Sequence, residues 1–132
     1  MKEIGSFAVD TNAVIDFRAG VSSIVSLIRS AETVFVPAVV VGELLYGAMN
    51  SRRIQENEKA VFQFLKFSSF IPVDEKISAK YAFVRVGLKK VGRPLPENDI
   101  WIAATCIEVG VPLLSRDAHF NHIDNLELIT WD

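Results

Sequence analysis

Four carboxylates stand out in this sequence by their surroundings. Asp10 follows the apolar stretch "SFAV" directly, and Glu43 is the lone charge inside "AVVVGELLYGA". Asp99 lies in "PLPENDIWIAA", at the start of an apolar segment, and Asp117 follows "PLLS" and opens "RDAHF". Each has an ordinary structural use. Asp10 suits a helix N-cap, and Asp99 suits one shared with Asn98. Asp117 suits the first turn of a helix, where the helix dipole favours an acid. Glu43 is harder to place, because an ionised side chain in an apolar helix needs water, a cation or a metal beside it. If the four points converge, they share one pocket, and like charges that close cannot all stay ionised without compensation. Oxygen-only ligands suit a hard cation, Mg²⁺ or Mn²⁺. The natural chemistry of such a cage is phosphodiester hydrolysis, with water activated and charge neutralised in the in-line transition state.

The elements that must position these acids read clearly. "SFAV" (6–9), "TVFVP" (33–37), "SFIPV" (69–73), "VPLLS" (111–115) and "LELITW" (126–131) are short strands. Between them, segments 11–20, 21–31, 38–50, 52–67, 74–92 and 97–110 carry helical patterns, and "RDAHFNHI" a short helix. Pro37 stands where a helix can begin, and Gly20, Gly92 and Gly110 where helices stop. Strands alternating with helices predict an α/β domain, an α/β/α sandwich around a mainly parallel sheet. In such sheets ligands bind beyond the carboxyl ends of the strands, which is where Asp10 and Asp117 stand.

The bulk properties bound the rest. A chain of 132 residues without repeats, low-complexity tracts or linkers predicts a single domain over 1–132, and 50% hydrophobic residues are enough for one core. No apolar run is long enough for a membrane span, and the N-terminus does not resemble a signal peptide, so the expected location is cytoplasmic. Cys106, the single cysteine, sits in "IAATCIEVG" and reads as an inert core thiol. The net charge is −2, but it is unevenly spread. Residues 52–93 carry ten Lys or Arg against four acids, and residues 94–132 one Arg against seven acids. Such a division suits a polyanion on one side and a cation on the other, or two solvated faces of opposite sign.

"VDTNAVIDF", "VVGELLYGA", "LPENDIWIAA" and "LLSRDAHF", in that order along nearly the whole chain, resemble the PIN-domain ribonucleases. More closely, they resemble the VapC toxins of prokaryotic toxin–antitoxin pairs. The resemblance implies Mg²⁺- or Mn²⁺-dependent endonucleolytic cleavage of RNA, with Asp10, Glu43, Asp99 and Asp117 as catalytic metal ligands. The fourth acid varies in the family, which leaves Asp117 as a direct or an outer ligand. Asn12 matches the polar residue that helps orient the site, and Ser115 a small hydroxyl residue near the metal. Homodimers and a VapB-like antitoxin, whose tail occupies the catalytic groove, are also implied.

The residues themselves add Arg93 and Arg116 as candidates for gripping RNA phosphates at the rim, a contact that positions rather than reads sequence. Lys89 and Lys90 better suit the C-terminal end of their helix. His119 and His122, three residues apart around Phe120 in a short helix, could serve a metal, but read rather as capping or solvent-facing. Phe62, Leu65, Phe67 and Phe70 read as core or dimer surface, with Phe64 on another face. Aspartyl-phosphate chemistry fits poorly, because Asn12 stands where a second acid would be needed. A phospho-receiver fits poorly as well, because the first strand brings only one acid. The remaining alternative is a PIN-fold binding module that acts through a protein partner without catalysis.

Overall fold

A computed structural model describes residues 5–132. Five parallel strands form a single sheet: β1 (Phe7–Val9), β2 (Val34–Pro37), β3 (Ser69–Ile71), β4 (Leu113–Leu114) and β5 (Leu128–Ile129). Their spatial order is β3-β2-β1-β4-β5. Six helices flank the sheet: α1 (Thr11–Arg18), α2 (Ser22–Ser30), α3 (Ala38–Met49), α4 (Ile54–Lys66), α5 (Glu75–Lys90) and α6 (Glu97–Val109). A short 3-10 helix, Ala118–His122, joins β4 to β5. This is the predicted α/β sandwich, with every strand pairing parallel.

The strands are short and apolar because both faces are covered. β1 is wholly buried at the centre, paired through Ala8 to Phe35 on one side and to Leu113 on the other. Around it the core gathers Val14, Ile24, Val36, Val40, Ile102 and Phe120. Cys106 is fully buried there, and burial pushes its thiol well above the usual range, as befits an unreactive core residue. Phe64 also turns into the core, whereas Phe67 and Phe70 remain exposed.

Local chemistry sets the helix ends. Asp74 caps α5 by accepting the Ile77 N–H at 2.9 Å. Gly110 ends α6 at φ 82°, a left-handed turn that favours glycine, and sends the chain straight toward β4. The start of α6 is held against α5 by Tyr81, whose ring stacks on Trp101 at 3.9 Å, and by Arg85, which bridges Tyr81 and Glu97. The outer strands are shorter than their apolar patterns, since pairing with a neighbour ends before the hydrophobicity does.

The strand order places the site. The chain winds outward from β1 through β2 to β3, then crosses back to lay β4 on the other side of β1. The connections leaving β1 and β4 therefore diverge, which opens a crevice beyond their carboxyl ends. Asp10 is the residue after β1, and Ser115 the residue after β4.

Candidate functional site

At the crevice, Asp10 is held by its neighbours on three sides. Its Oδ1 accepts the Thr11 N–H at 2.8 Å as α1 begins. Its Oδ2 accepts the Ser115 hydroxyl at 2.6 Å and the Asn12 amide at 3.3 Å. Only 6% of Asp10 is exposed, so these donors replace the water that a buried carboxylate gives up. Ser115 is itself fully buried and accepts the Asp117 N–H at 3.0 Å. Asn12 closes the loop, since its Oδ1 accepts the Arg116 N–H at 3.3 Å. One hydrogen-bonded net thus joins the ends of β1 and β4.

Glu43 enters from α3, in the helix's second turn, and accepts the Thr11 hydroxyl at 3.2 Å. It borders a cleft of about 620 Å³ lined by Thr11, Val39, Gly42, Tyr46 and Asn98. Asp99 enters from the first turn of α6, whose cap, Pro96, has no side-chain hydrogen bond to the helix. Asp117 enters from the turn after β4 and caps the 3-10 helix by accepting the His119 N–H at 3.4 Å. A larger groove, about 840 Å³ between α2 and α4, shares none of these residues.

The acids are electrostatically coupled. Glu43 is raised above the usual carboxylate range, first by burial and further by the charges of Asp10 and Asp99, with the Thr11 hydroxyl pulling the other way. Asp99 is raised by burial and by Asp10 and Asp117, against the opposing pull of His119. Asp10, Glu43, Asp99 and Asp117 therefore lie in one field. Among the described residues no lysine or arginine forms an ion pair with any of them. Hard oxygen donors, part-buried and short of cations, are what a divalent metal requires.

His119 is the member that sequence reasoning discounted. Rather than capping or facing solvent, its Nε2 lies 2.6 Å from Asp99 Oδ2 and 2.9 Å from Asp117 Oδ2. Asp99, Asp117 and His119 each offer a ligand atom within 4.8 Å of the others, the one such group found among the described residues. The signal was weak, a histidine two residues after a capping aspartate. Thr11 also went unremarked, although its hydroxyl and its N–H each meet a site carboxylate.

The two arginines proposed for the rim are differently placed. Arg116 sets its guanidinium on Asp16, 3.1 Å from Oδ2, and lies over the Trp131 ring at 5.5 Å. Trp131 donates its indole N–H to the same Asp16 oxygen. Arg93, in the loop before α6, is exposed and lies 3.2 Å from a ring nitrogen of His122.

Comparison with known proteins agrees with this geometry. The PIN domain model matches residues 7–126. Ribonuclease VapC2 of Rickettsia felis is 28% identical over 107 residues, 80% of this chain and 80% of that protein. A chain of the solved structure of Rickettsia felis VapBC2, bound to a DNA fragment from their promoter, has a TM-score of 0.87 at 25% identity. That match covers 96% of this chain and 99% of the other. A chain of the crystal structure of FitAcB from Neisseria gonorrhoeae has a TM-score of 0.80 at 25% identity, covering 93% of this chain and 96% of the other. With a family model spanning almost all of the described residues, the chain belongs to the PIN domain family and is related to the VapC ribonucleases.

Proposed function

We propose that this protein is a divalent-metal-dependent endoribonuclease, the toxin of a VapBC-type toxin–antitoxin pair. The observation that supports this reading is the group of Asp99, Asp117 and His119, whose ligand atoms lie within 4.8 Å of one another, together with the mutual electrostatic influence of Asp10, Glu43 and Asp99 and the lack of a lysine or arginine ion pair on these acids among the described residues. The relatives named VapC support ribonuclease as the activity and an antitoxin as the partner. Mg²⁺ or Mn²⁺ held by the four carboxylates would activate water and neutralise charge as the phosphodiester is cut.

The chain's own residues do the positioning. Ser115 and Asn12 orient the Asp10 carboxylate, and Thr11 orients Glu43. On the same reading Arg93 and Arg116 would meet backbone phosphates of the RNA. The same reading takes residues 1–132 as a single domain, working as a homodimer in the cytoplasm. No helix among the described residues is long and apolar enough to cross a membrane.

The test is cleavage of a total-RNA pool by the purified chain, free of any partner, with Mg²⁺ or Mn²⁺ and then with EDTA. Discrete fragments that need metal, and that vanish with Asp99→Asn, are expected. Folded, partner-free protein that yields no metal-dependent fragments would replace this reading with that of a binding module.

A further inference from the structure

His119 is the one imidazole placed among the site carboxylates, and the four-carboxylate reading has no use for it. The geometry points to His119 as a nitrogen ligand of the same ion, which makes the centre a mixed oxygen–nitrogen site that favours Mn²⁺ over Mg²⁺. The inference rests on the metal-dependent reading above.

Three observations carry it. The first is distance. Donor atoms on adjacent corners of a six-coordinate ion, with bonds of about 2.1 Å, stand about 3 Å apart. His119 Nε2 stands 2.6 Å from Asp99 Oδ2, in hydrogen-bond contact, and 2.9 Å from Asp117 Oδ2, and the three atoms lie within 4.8 Å of one another, close enough to share one ion. The second is anchorage. The ring follows a backbone N–H tied to Asp117, and the next residue, Phe120, is fully buried, so the turn carrying His119 is pinned from both sides. The third is ligand chemistry. Carboxylates and water suit Mg²⁺ and Mn²⁺ alike, but Mn²⁺, the first of the divalent transition metals in the affinity series, accepts an imidazole that Mg²⁺ takes poorly. A nitrogen donor therefore tilts an otherwise hard site toward Mn²⁺.

The contrast with His122 makes the inference testable, because the chain has 2 histidines. His122 is exposed and lies against Arg93, and it has no hydrogen bond or ion pair to a site carboxylate among the described residues. Any imidazole nitrogen bound to the ion can thus be assigned by two substitutions.

The experiment is pulsed EPR of the tag-free full chain loaded with Mn²⁺, read for ¹⁴N modulation from a coordinated imidazole. Calorimetric binding of Mn²⁺ and Mg²⁺ alone accompanies it. Nitrogen modulation is expected in the parent and in His122→Gln, and is lost in His119→Gln. His119→Gln should weaken Mn²⁺ binding by about tenfold or more and Mg²⁺ binding by less. Bound Mn²⁺ without nitrogen modulation in the parent, or modulation that survives in His119→Gln, overturns the inference. So does an equal loss of both metals. None of these outcomes touches the nuclease reading, which stands or falls on RNA fragments. Conversely, a clear nitrogen signal without cleavage sinks that reading and leaves the ligand in place.

Discussion

Ser115 and Asp10 are 105 residues apart in sequence and 2.6 Å apart in space, hydroxyl to carboxylate, with Ser115 fully buried. This hydrogen bond ties the end of β4 to the end of β1 at the crevice. It aims one carboxylate oxygen and, through the Asp117 N–H, holds the turn that carries a second acid.

Removing that hydroxyl should therefore act on the site more than on the fold. A hydrogen bond to a charged group contributes about 1.5–3 kcal/mol. Ser115→Ala is expected to lose stability within that range and to lower RNA cleavage by at least about tenfold, while Ser115→Thr retains more of both. Urea unfolding and fragment yield, measured side by side, check this. Full activity in Ser115→Ala would show that Asp10 needs no such orientation.

Asp10 itself should be indispensable to the reaction and dispensable to the fold. Asp10→Asn keeps an oxygen for the Thr11 N–H, but turns the oxygen that faces the Ser115 hydroxyl and the Asn12 amide into an amide N–H donor, and removes the charge. Cleavage is expected to fall by more than about a thousandfold, consistent with loss of charge stabilisation in the transition state. The circular dichroism spectrum should stay unchanged. Residual cleavage within tenfold of the parent would remove Asp10 from the metal site.

Stability should depend on pH in a direction opposite to that of most acids. Glu43 and Asp99 are raised in the folded state, so between their ordinary values, 4.5 and 3.8, and the raised ones the folded chain binds more protons than the unfolded chain. The metal-free protein therefore loses stability as pH climbs through that window, and the loss remains at neutral pH. Glu43→Gln removes the buried charge and keeps an acceptor for Thr11. The melting temperature of metal-free Glu43→Gln should lie above that of the parent at neutral pH, and the gap should close in acid. Adding Mn²⁺ should stabilise the parent more than this variant. A variant that melts lower than the parent at every pH would contradict the electrostatic picture.

The two rim arginines should separate in their response to salt. Arg116 is already neutralised by Asp16 and stacked over Trp131, whereas Arg93 is paired only with a histidine ring. A phosphate contact released by mutation lowers the salt slope of RNA binding by about one. Arg93→Ala is expected to do so. Arg116→Ala should change the slope less and lower stability by up to about 1 kcal/mol, the usual worth of a half-exposed pair. Equal changes of slope would mean that Arg116 leaves Asp16 to meet RNA.

Much of this architecture was legible in the chain. Apolar strands between helical stripes announced a parallel sheet, because strands buried on both faces need not alternate. The charge at Glu43 announced water, a cation or a metal beside an apolar helix, and Glu43 borders a cleft there. Helical periodicity set Phe64 on a different face from Phe62 and Phe67, but it did not say which face is buried: Phe64 is in the core, and Phe62, Phe67 and Phe70 are exposed. His119 could not be read. Its neighbours in sequence mark a turn, and its partner Asp99 comes from another helix, 20 residues earlier. The tie between Arg116, Asp16 and Trp131 was equally invisible, since it joins α1, the turn after β4 and the end of the chain.

The sequence by itself determined which side chains are charged in apolar company and which segments must be strands or helices, because hydrophobic period and local capping act over a few residues. Only the tertiary structure decided that β4 lies beside β1. That crossover brings Ser115 to Asp10 and His119 to Asp99, and no local pattern specifies it. Short-range preferences choose the elements. The burial of both faces of one sheet chooses their neighbours, and with them the chemistry of the site.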